Sequence, residues 1–438
     1  MEYLPIIFFV VVLIFLLMGF PVAFTLGGIS VVFGIILFGL NFFNLLPLRI
    51  WGIMDNYVLI AVPLFIYMGV MLDKSGIAEE LLETMALLFG KLKGGLAISV
   101  LLVGALLGAS TGIVGATVVT MGVISLPVML KRGYHPRAAS GIIMASGTLG
   151  QIIPPSIILV LLGSVLNVPV GDLFIGAVIP GIILVFLYFV WIVILTFIRP
   201  KSVPAMPAEE LEKFQGVVKY KRIVNAFLLP FFLIIAVLGS IFAGIASPTE
   251  AAALGALGAT VLTAARKKLS LDILKSVMQK TTSITSMAFM ILVGATAFSL
   301  VFRGMHGDTI LAGWILNSNL EPYHFLAIVM LVIFVLGFFI DFIEITFIVV
   351  PVIAPILIGL HFDLLWIGIL IAMNLQTSFL TPPFGFSIFY LKGVAPEGVT
   401  TNHLYRGIIP YVIIQLIALT ILITWPEIVL WLPKVLSN

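Results

Sequence analysis

Two short stretches, GQIIPPSIIL (residues 150–159) and SFLTPPFGFS (residues 378–387), each place two consecutive prolines inside a strongly apolar run. Proline inside a helix removes a backbone hydrogen bond and clashes with the preceding turn, which costs about 3 kcal/mol. In lipid, such a break is tolerated only where the carbonyl groups that it frees line a cavity or bind a ligand. A packing kink would explain either pair alone. Two pairs at matched positions, each after a small polar stretch, favour two interrupted helices at a binding site: Pro154, Pro155, Pro382 and Pro383.

The composition is that of a polytopic membrane protein made of α-helices. Of 438 residues, 62% are hydrophobic and only 9% are charged, against about 45–50% and 25% in soluble domains. Apolar stretches near the length of about 20 residues that crosses a bilayer recur along the chain. The absence of cysteine excludes disulfides and thiolate chemistry. Since there is also no HExxH, GxSxG or histidine cluster, we expect no enzyme, no cofactor and no transition-metal site.

The sequence repeats itself at an offset of 227 or 228 residues, which brings prolines and glycines of the two halves into register. Residues 1–198 and 226–438 are therefore predicted to be two structural repeats, joined by a charged connector over 199–225. The first repeat has predicted spans at about 4–19, 21–39, 57–72, 136–166 (with a break) and 172–198, and a re-entrant hairpin at about 96–130. The second has its hairpin at about 325–360 and its broken helix at about 364–391.

This layout predicts about ten crossings plus two hairpins. Because each half crosses an odd number of times, the second half is inverted relative to the first. Basic residues test the orientation. With both termini on the periplasmic side, 19 of the 22 lysines and arginines face the cytoplasm, together with the connector, as the positive-inside rule predicts.

The breaks and hairpin tips have the chemistry of an ion and anion site. Unwound backbone at mid-membrane can coordinate Na⁺, and the N-termini of half-helices attract an anion. The second tip holds Asp341 and Glu344, and an intramembrane acid is functional by default. Two alternatives stay open: close glycine packing in the first hairpin, and a second tip that reaches external water. Glu250 instead fits a capping box with Ser247.

Three motifs resemble the large membrane subunit of the tripartite ATP-independent periplasmic (TRAP) transporters. They are ASPTEAAALGA (residues 246–256), GASTGIVGATVVTMGVISLPVMLKRGY followed by ASGTLGQIIPPSI, and NLQTSFLTPPFGFSIFYLKGVAP (residues 374–396). The resemblance covers nearly the whole chain. It implies an elevator-type secondary transporter of the bacterial inner membrane, coupled to Na⁺. The implied partners are a small four-helix membrane subunit, a periplasmic substrate-binding protein, the lipid bilayer and a small organic anion, with no nucleic acid.

The resemblance also implies the site residues. Those implied for Na⁺ are Ser110, Gly147 and Gly150 near the first break, and Gly337, Asp341, Asn374, Thr377 and Thr381 near the second. Those implied for substrate, between the tips, are Ser110, Thr111, Gly112, Gln151, Asp341, Glu344 and Gln376. A subgroup of this family with comparably bulky tip residues is associated with 2-oxo acids and similar small organic acids. The resemblance therefore implies a 2-oxo acid in preference to a C4-dicarboxylate, with sialic acid less favoured than either. The alternative function is a self-sufficient Na⁺/carboxylate symporter that needs no binding protein.

Overall fold

The computed structural model describes residues 3–112, 114–207, 224–317, 321–382 and 385–436, and within these ranges the chain is helical, without strands. The α-helices of the first half are Leu4–Leu17 (α1), Val22–Phe38 (α2), Leu46–Met54 (α3), Ala61–Lys74 (α4), Ile77–Phe89 (α5), Gly95–Thr111 (α6), Val114–Lys131 (α7), Pro136–Thr148 (α8), Ile157–Leu166 (α9) and Val170–Ile198 (α10). Most of the predicted connector, residues 208–223, lies outside the described residues.

The second half follows the same order of helices. They are Leu229–Phe242 (α11), Pro248–Ala265 (α12), Leu271–Gly304 (α13), Gly307–Asn317 (α14), Pro322–Leu336 (α15), Phe342–Ile348 (α16), Val350–Gly359 (α17), Leu364–Leu380 (α18), Phe386–Val394 (α19), Thr401–Thr424 (α20) and Glu427–Leu436 (α21). Helices α9 and α19 both resume a helix after a proline pair. The predicted inversion of one half relative to the other, and the domain boundaries, stay predictions.

One helix differs between the halves for a reason that the sequence supplies. Helix α7 is continuous, whereas α16 and α17 meet at a bend of 52°. Pro351 lies in the first turn of α17 and has no N–H to donate to the carbonyl of Phe347. The matching position in α7 is Val123, which keeps its N–H, so the helix runs on.

The described helices include fewer long spans than the sequence predicts. Five are at least 18 residues long and apolar enough to cross a membrane, and the bent pair α16–α17 makes six. The prediction of about ten crossings also counts shorter apolar helices of 10–17 residues, such as α1, α2, α9 and α18. Helix α7 is itself long enough to cross, so length does not distinguish a re-entrant arm from a full span. The hairpins therefore stay a prediction.

Helix α5 lies outside the predicted spans. It buries Ile77 and Leu81, exposes Glu79 and Glu80, and packs along α6. Glu80 forms an ion pair with Arg266, which caps the end of α12. The Glu80 carboxylate is exposed whereas the Arg266 side chain is mostly buried, and this pair adds to the attachment that burial of the apolar face provides.

The helices form two packed groups. In the first, which we call the scaffold helices (α1–α4 and α11–α13), α2 lies along α13 and α12 lies along α4. In the second, the central helices (α6–α10 and α15–α20), α8 packs against α6, α7 and α20, while α18 packs against α15 and α20. The helices that carry the two proline breaks, α8 and α18, thus belong to the same packed group.

Within the described ranges, two side-chain hydrogen bonds join the scaffold helices to the central helices. Thr120 Oγ1 of α7 donates to Asp73 Oδ1 of α4 over 3.0 Å. Asn56 Nδ2, just before α4, donates to Ser164 Oγ of α9 over 3.0 Å. Any sliding of one group past the other must break both.

The capping box predicted for Glu250 is confirmed. Ser247 is the N-cap of α12, and its backbone N–H donates to Glu250 Oε2 over 2.7 Å. This backbone bond, followed by the bond from the Ser247 hydroxyl, lowers the pKa of Glu250. Glu250 therefore caps the start of α12, as predicted, and is not one of the predicted ligand residues.

Candidate functional site

The first proline pair interrupts a helix as predicted. Helix α8 ends at Thr148, a 3₁₀ turn covers Leu149–Gln151, and α9 begins at Ile157. The peptide bond between Pro154 and Pro155 is cis. Ser156 Oγ donates to the Gln151 carbonyl over 2.6 Å, so one carbonyl freed by the break is satisfied by a hydroxyl and not by water.

The first hairpin packs directly on this break through glycines. A Cβ on Gly108 of α6 would lie 2.6 Å from the backbone nitrogen of Gly150, and a Cβ on Gly147 would lie 3.1 Å from Val118 Cα of α7. Both α6 and α7 therefore contact the broken helix, with almost no side chain between the backbones. Gly112 ends α6 in the left-handed region, at φ +59°, which glycine adopts without strain.

The second proline pair lies at a matching interruption. Helix α18 ends at Leu380, Thr381 is its C-cap, and α19 begins at Phe386. Pro382 is described, whereas Pro383 lies outside the described residues. Ser387 Oγ donates to the Phe379 carbonyl over 2.9 Å. Since Phe379 matches Gln151 at the offset of 228, a serine hydroxyl satisfies the same carbonyl in each half.

The second hairpin is tied to the second break by an amide and a glycine. Asn374 Nδ2 donates to the Met330 carbonyl of α15 over 2.7 Å, and a Cβ on Gly337 would lie 2.7 Å from Ser378 Cβ. The hydroxyls of Thr377 and Thr381 donate to carbonyls four residues earlier, each over 2.8 Å. Because a hydroxyl keeps lone pairs when it donates, both can still coordinate a cation.

Asp341 and Glu344 have a structural role that the sequence interpretation missed. They form a capping box at the start of α16. The N–H of Phe342 donates to Asp341 Oδ1 over 2.7 Å, and the N–H of Asp341 donates to Glu344 Oε2 over 3.0 Å. The D-x-x-E spacing before an apolar run is the sequence signal for this motif. Capping leaves lone pairs on both carboxylates, so it is compatible with ligand binding.

Two glutamine side chains mark the place where the halves meet. Gln376 Nε2 of α18 lies 3.5 Å from Thr148 Oγ1 of α8, and these residues are 228 positions apart. Gln376 Oε1 and both amide atoms of Gln151 are buried without a hydrogen-bond partner in the described part of the chain. A buried polar group left unsatisfied costs about 1–3 kcal/mol. These amides therefore point to a ligand at the contact between the two breaks.

Tyr390 of α19 is a candidate site residue that sequence reasoning missed. A Cβ on Gly115 of α7 would lie 2.8 Å from Tyr390 Cζ, and α19 packs along α7. Tyr390 thus lies against the predicted first hairpin. Its side chain is 39% exposed, and its hydroxyl makes no hydrogen bond to a described residue. An aromatic residue in an apolar run gave no sequence signal for this position.

A polar cavity of about 510 Å³ separates scaffold helix α13 from the second hairpin. Its lining includes two arginines, Arg49 and Arg303, and one residue of α16, Phe347. Five hydroxyl or amide side chains also line it: Asn56, Ser164, Asn167, Thr296 and Ser299. Both arginines are exposed, and neither forms an ion pair with a described residue. The two arginines therefore make the cavity positively charged.

Several predicted site residues lie at the contacts between these helices. Gly150 lies against Gly108 of α6 and Gly147 against Val118 of α7. Gly337 lies against Ser378, and Asn374 bonds Met330. Their roles in Na⁺ and substrate binding stay predictions. The side chains of Ser110 and Thr111 lie outside the described residues, so their predicted roles stay predictions. Glu344 is placed at the tip, one helical turn after Asp341.

The sequence matches a family model described as the DctM component of the tripartite ATP-independent periplasmic transporter, over residues 9–428. The chain belongs to this family. Among TRAP relatives, the C4-dicarboxylate large permease of Pseudomonas aeruginosa is 31% identical, covering 93% of each chain. The ectoine large permease of Halomonas elongata is 29% identical, covering 95% of this chain and 96% of its own. These relatives are transport permeases and not enzymes.

Other comparisons extend this picture. The sialic acid TRAP large permease of Vibrio cholerae is 27% identical, covering 95% of each chain. The crystal structure of the YdaH transporter from Alcanivorax borkumensis matches with a TM-score of 0.64, over 93% of this chain and 96% of that one. At 14% identity, this likeness concerns the fold alone.

Proposed function

We propose that this TRAP large permease imports a small organic acid anion together with Na⁺. The observation that carries the proposal is the contact between the two breaks, where the amides of Gln151 and Gln376 are buried without a full set of partners. A substrate carboxylate would accept hydrogen bonds from the nitrogens of these two amides. The amide oxygens would face a bound cation.

The proposal includes two Na⁺ sites, one where each predicted hairpin packs on its break. The first comprises backbone carbonyls near Gly147 and Gly150 with the hydroxyl of Ser110, and the second comprises Asp341, Asn374, Thr377 and Thr381 near Gly337. Two Na⁺ entering with a monoanion carry one net positive charge. The membrane potential then contributes about 2.3 kcal/mol per 100 mV.

The substrate class is a 2-oxo acid or a C4-dicarboxylate. The relatives named above are permeases for a C4-dicarboxylate, sialic acid and ectoine, so family membership leaves the substrate open. The bulky side chains after Asp341, beginning with Phe342 and Ile343, leave room for a small acid. Tyr390 supplies a hydroxyl donor to it.

Removal of the Tyr390 hydroxyl weakens substrate binding. We expect Tyr390→Phe to raise the apparent KM for uptake about tenfold with little change in the maximal rate, since one hydrogen bond to a charged group is worth about 1.5–3 kcal/mol. Tyr323→Phe is the matched control, because Tyr323 is an exposed ring against Phe362. If the two variants have equal KM values, the Tyr390 hydroxyl does not bind the substrate.

Transport proceeds by an elevator motion in which the central helices slide against the scaffold helices. The hydrogen bonds Thr120–Asp73 and Asn56–Ser164 hold the arrangement seen here. The family assignment implies a small membrane subunit and a periplasmic binding protein as partners, and the small subunit would stay with the scaffold. The distribution of basic residues supports an inner-membrane protein with periplasmic termini and a cytoplasmic connector.

Loss of one interdomain hydrogen bond shifts the elevator equilibrium. We expect Thr120→Val to lower the ratio of the present state to the alternative state about fivefold, the equivalent of about 1 kcal/mol. Because the chain has no cysteine, the labelling rate of a single introduced cysteine facing the α4–α7 boundary reports this ratio. Thr260→Val is the control, since Thr260 bonds Tyr67 within the scaffold helices. The same labelling change in both variants would argue against a moving boundary.

Reconstitution tests the proposed function directly. The chain and its small membrane partner, in vesicles with the cognate binding protein outside, should accumulate the acid only with an inward Na⁺ gradient. Uptake of free acid at the same rate without the binding protein would instead establish the self-sufficient symporter. Flux that ignores the Na⁺ gradient would contradict coupled transport.

A further inference from the structure

A second polar cavity, of about 130 Å³, lies where α10 ends. It is formed by three elements: the start of α8, the end of α10 with the turn that follows, and the start of α20. Arg137 precedes the first break by about 18 Å along α8, at 1.5 Å per residue. The cavity is therefore distinct from the site at the breaks.

Positive groups from all three elements converge on this cavity. Arg137, Arg199 and Arg406 line it together with His135, and the ring of His403 lies 6.1 Å from that of His135. In the part of the chain that the structure describes, no carboxylate pairs with any of the three arginines. The Nε atom of Arg137 is buried and has no hydrogen-bond partner there.

The backbone holds these groups in place. The N–H of His135 donates to the Ser202 carbonyl over 3.0 Å, which fixes the turn after α10 against the start of α8. A Cβ on Gly407 would lie 3.0 Å from Ser140 Oγ, so α20 approaches α8 closely. Partial burial, followed by the charges of Arg137, His403 and Arg199, lowers the pKa of His135. The fold thus maintains a cluster of cations that repel one another.

We propose that this cavity binds a phosphate group, as carried by the headgroup of an anionic phospholipid. Arginine side chains pair with phosphate oxygens through two parallel hydrogen bonds, and the buried Nε of Arg137 lacks a partner among the described residues. The apolar wall, Trp191 and Leu195 of α10, belongs to the membrane-spanning helix just before the charged residues. Lipid phosphates lie at this depth, and basic pockets between transmembrane helices bind them.

Binding of short-chain lipids to the purified full-length chain in detergent tests this site. Thermal stabilisation is measured against dioctanoyl phosphatidylglycerol, dioctanoyl phosphatidylcholine and inorganic phosphate. We expect saturable binding of phosphatidylglycerol, weakened about thirtyfold in the double variant Arg199→Gln and Arg406→Gln, since each surface cation near lipid contributes about fivefold. Both arginines are exposed, so the unfolding temperature without lipid should not change.

The matched control is Lys91→Gln with Lys93→Gln, which removes two exposed cations from outside the cavity and should leave binding unchanged. Phosphatidylglycerol binding well above that of phosphate assigns the site to a lipid headgroup. Equal binding of phosphate, with the same loss in the arginine variant, assigns it to free phosphate. The proposal is overturned if neither binds saturably, or if the lysine variant loses as much affinity as the arginine variant. Neither result bears on Na⁺-coupled uptake.

Discussion

Replacement of Asp341 by asparagine should reduce Na⁺-driven uptake about tenfold to a hundredfold without unfolding the second hairpin tip. Asparagine is as good an N-cap as aspartate, so Asp341→Asn keeps the cap of α16 while removing the negative charge that a cation needs. A loss of this size corresponds to about 1.4–2.8 kcal/mol. The measurement is the initial uptake rate as a function of Na⁺ concentration, together with the unfolding temperature.

Asp363→Asn is the matched control. Asp363 caps α18 through the N–H groups of Leu365 and Trp366, and it is exposed at the start of that helix. The two variants therefore make the same chemical change at the same kind of helix cap. No ligand site is proposed near Asp363. If Asp341→Asn retains the Na⁺ dependence of the parent chain, then Asp341 is a helix cap and nothing more.

A methyl group at position 108 should separate the first hairpin from the first break. In Gly108→Ala the new Cβ would lie 2.6 Å from the backbone nitrogen of Gly150, and backbone atoms cannot move aside as a flexible side chain can. Overpacking of this kind costs about 1–3 kcal/mol. We expect a lower unfolding temperature and uptake reduced at least about tenfold, because the carbonyls of the first Na⁺ site shift with the break.

Gly28→Ala provides the comparison for this substitution. Gly28 lies within α2, and a Cβ there would meet nothing within 4 Å. Alanine is favoured over glycine inside a helix by about 0.5–1 kcal/mol, so Gly28→Ala should be neutral or slightly stabilising. Equal stability and uptake for the two variants would mean that the contact of α6 with the break is loose enough to be irrelevant to transport.

The sequence predicted the broken helices because proline acts locally. A paired proline interrupts a helix whatever surrounds it, and the repeat at 228 indicated that Pro154 and Pro382 belong to equivalent elements. The helical class, the helix pairs on either side of each tip and the cap at Glu250 also follow from local patterns. Each of these features depends on residues within a few positions of one another, and such residues are also close together in the structure.

Features that depend on contacts between distant segments could not be read in this way. Tyr390 reaches Gly115 only because α19 packs along α7, and the pairing of Gln376 with Thr148 joins residues 228 positions apart. The Arg49–Arg303 cavity likewise forms only in the folded chain. The capping box of Asp341 and Glu344 is different, since its D-x-x-E signal was present in the sequence. An acid in an apolar run fits both a helix cap and a ligand site, and the spacing to Glu344 is what indicates the cap.

Uptake by reconstituted vesicles with Na⁺ outside, compared with vesicles in which K⁺ replaces Na⁺, tests the central claim most directly. With binding protein and small subunit present, the account predicts accumulation of the organic acid that depends on Na⁺ with a Hill coefficient above one, because each break contributes a cation site. The same accumulation in K⁺ as in Na⁺ would contradict it, and the two proline breaks would then be packing kinks without a coupling role.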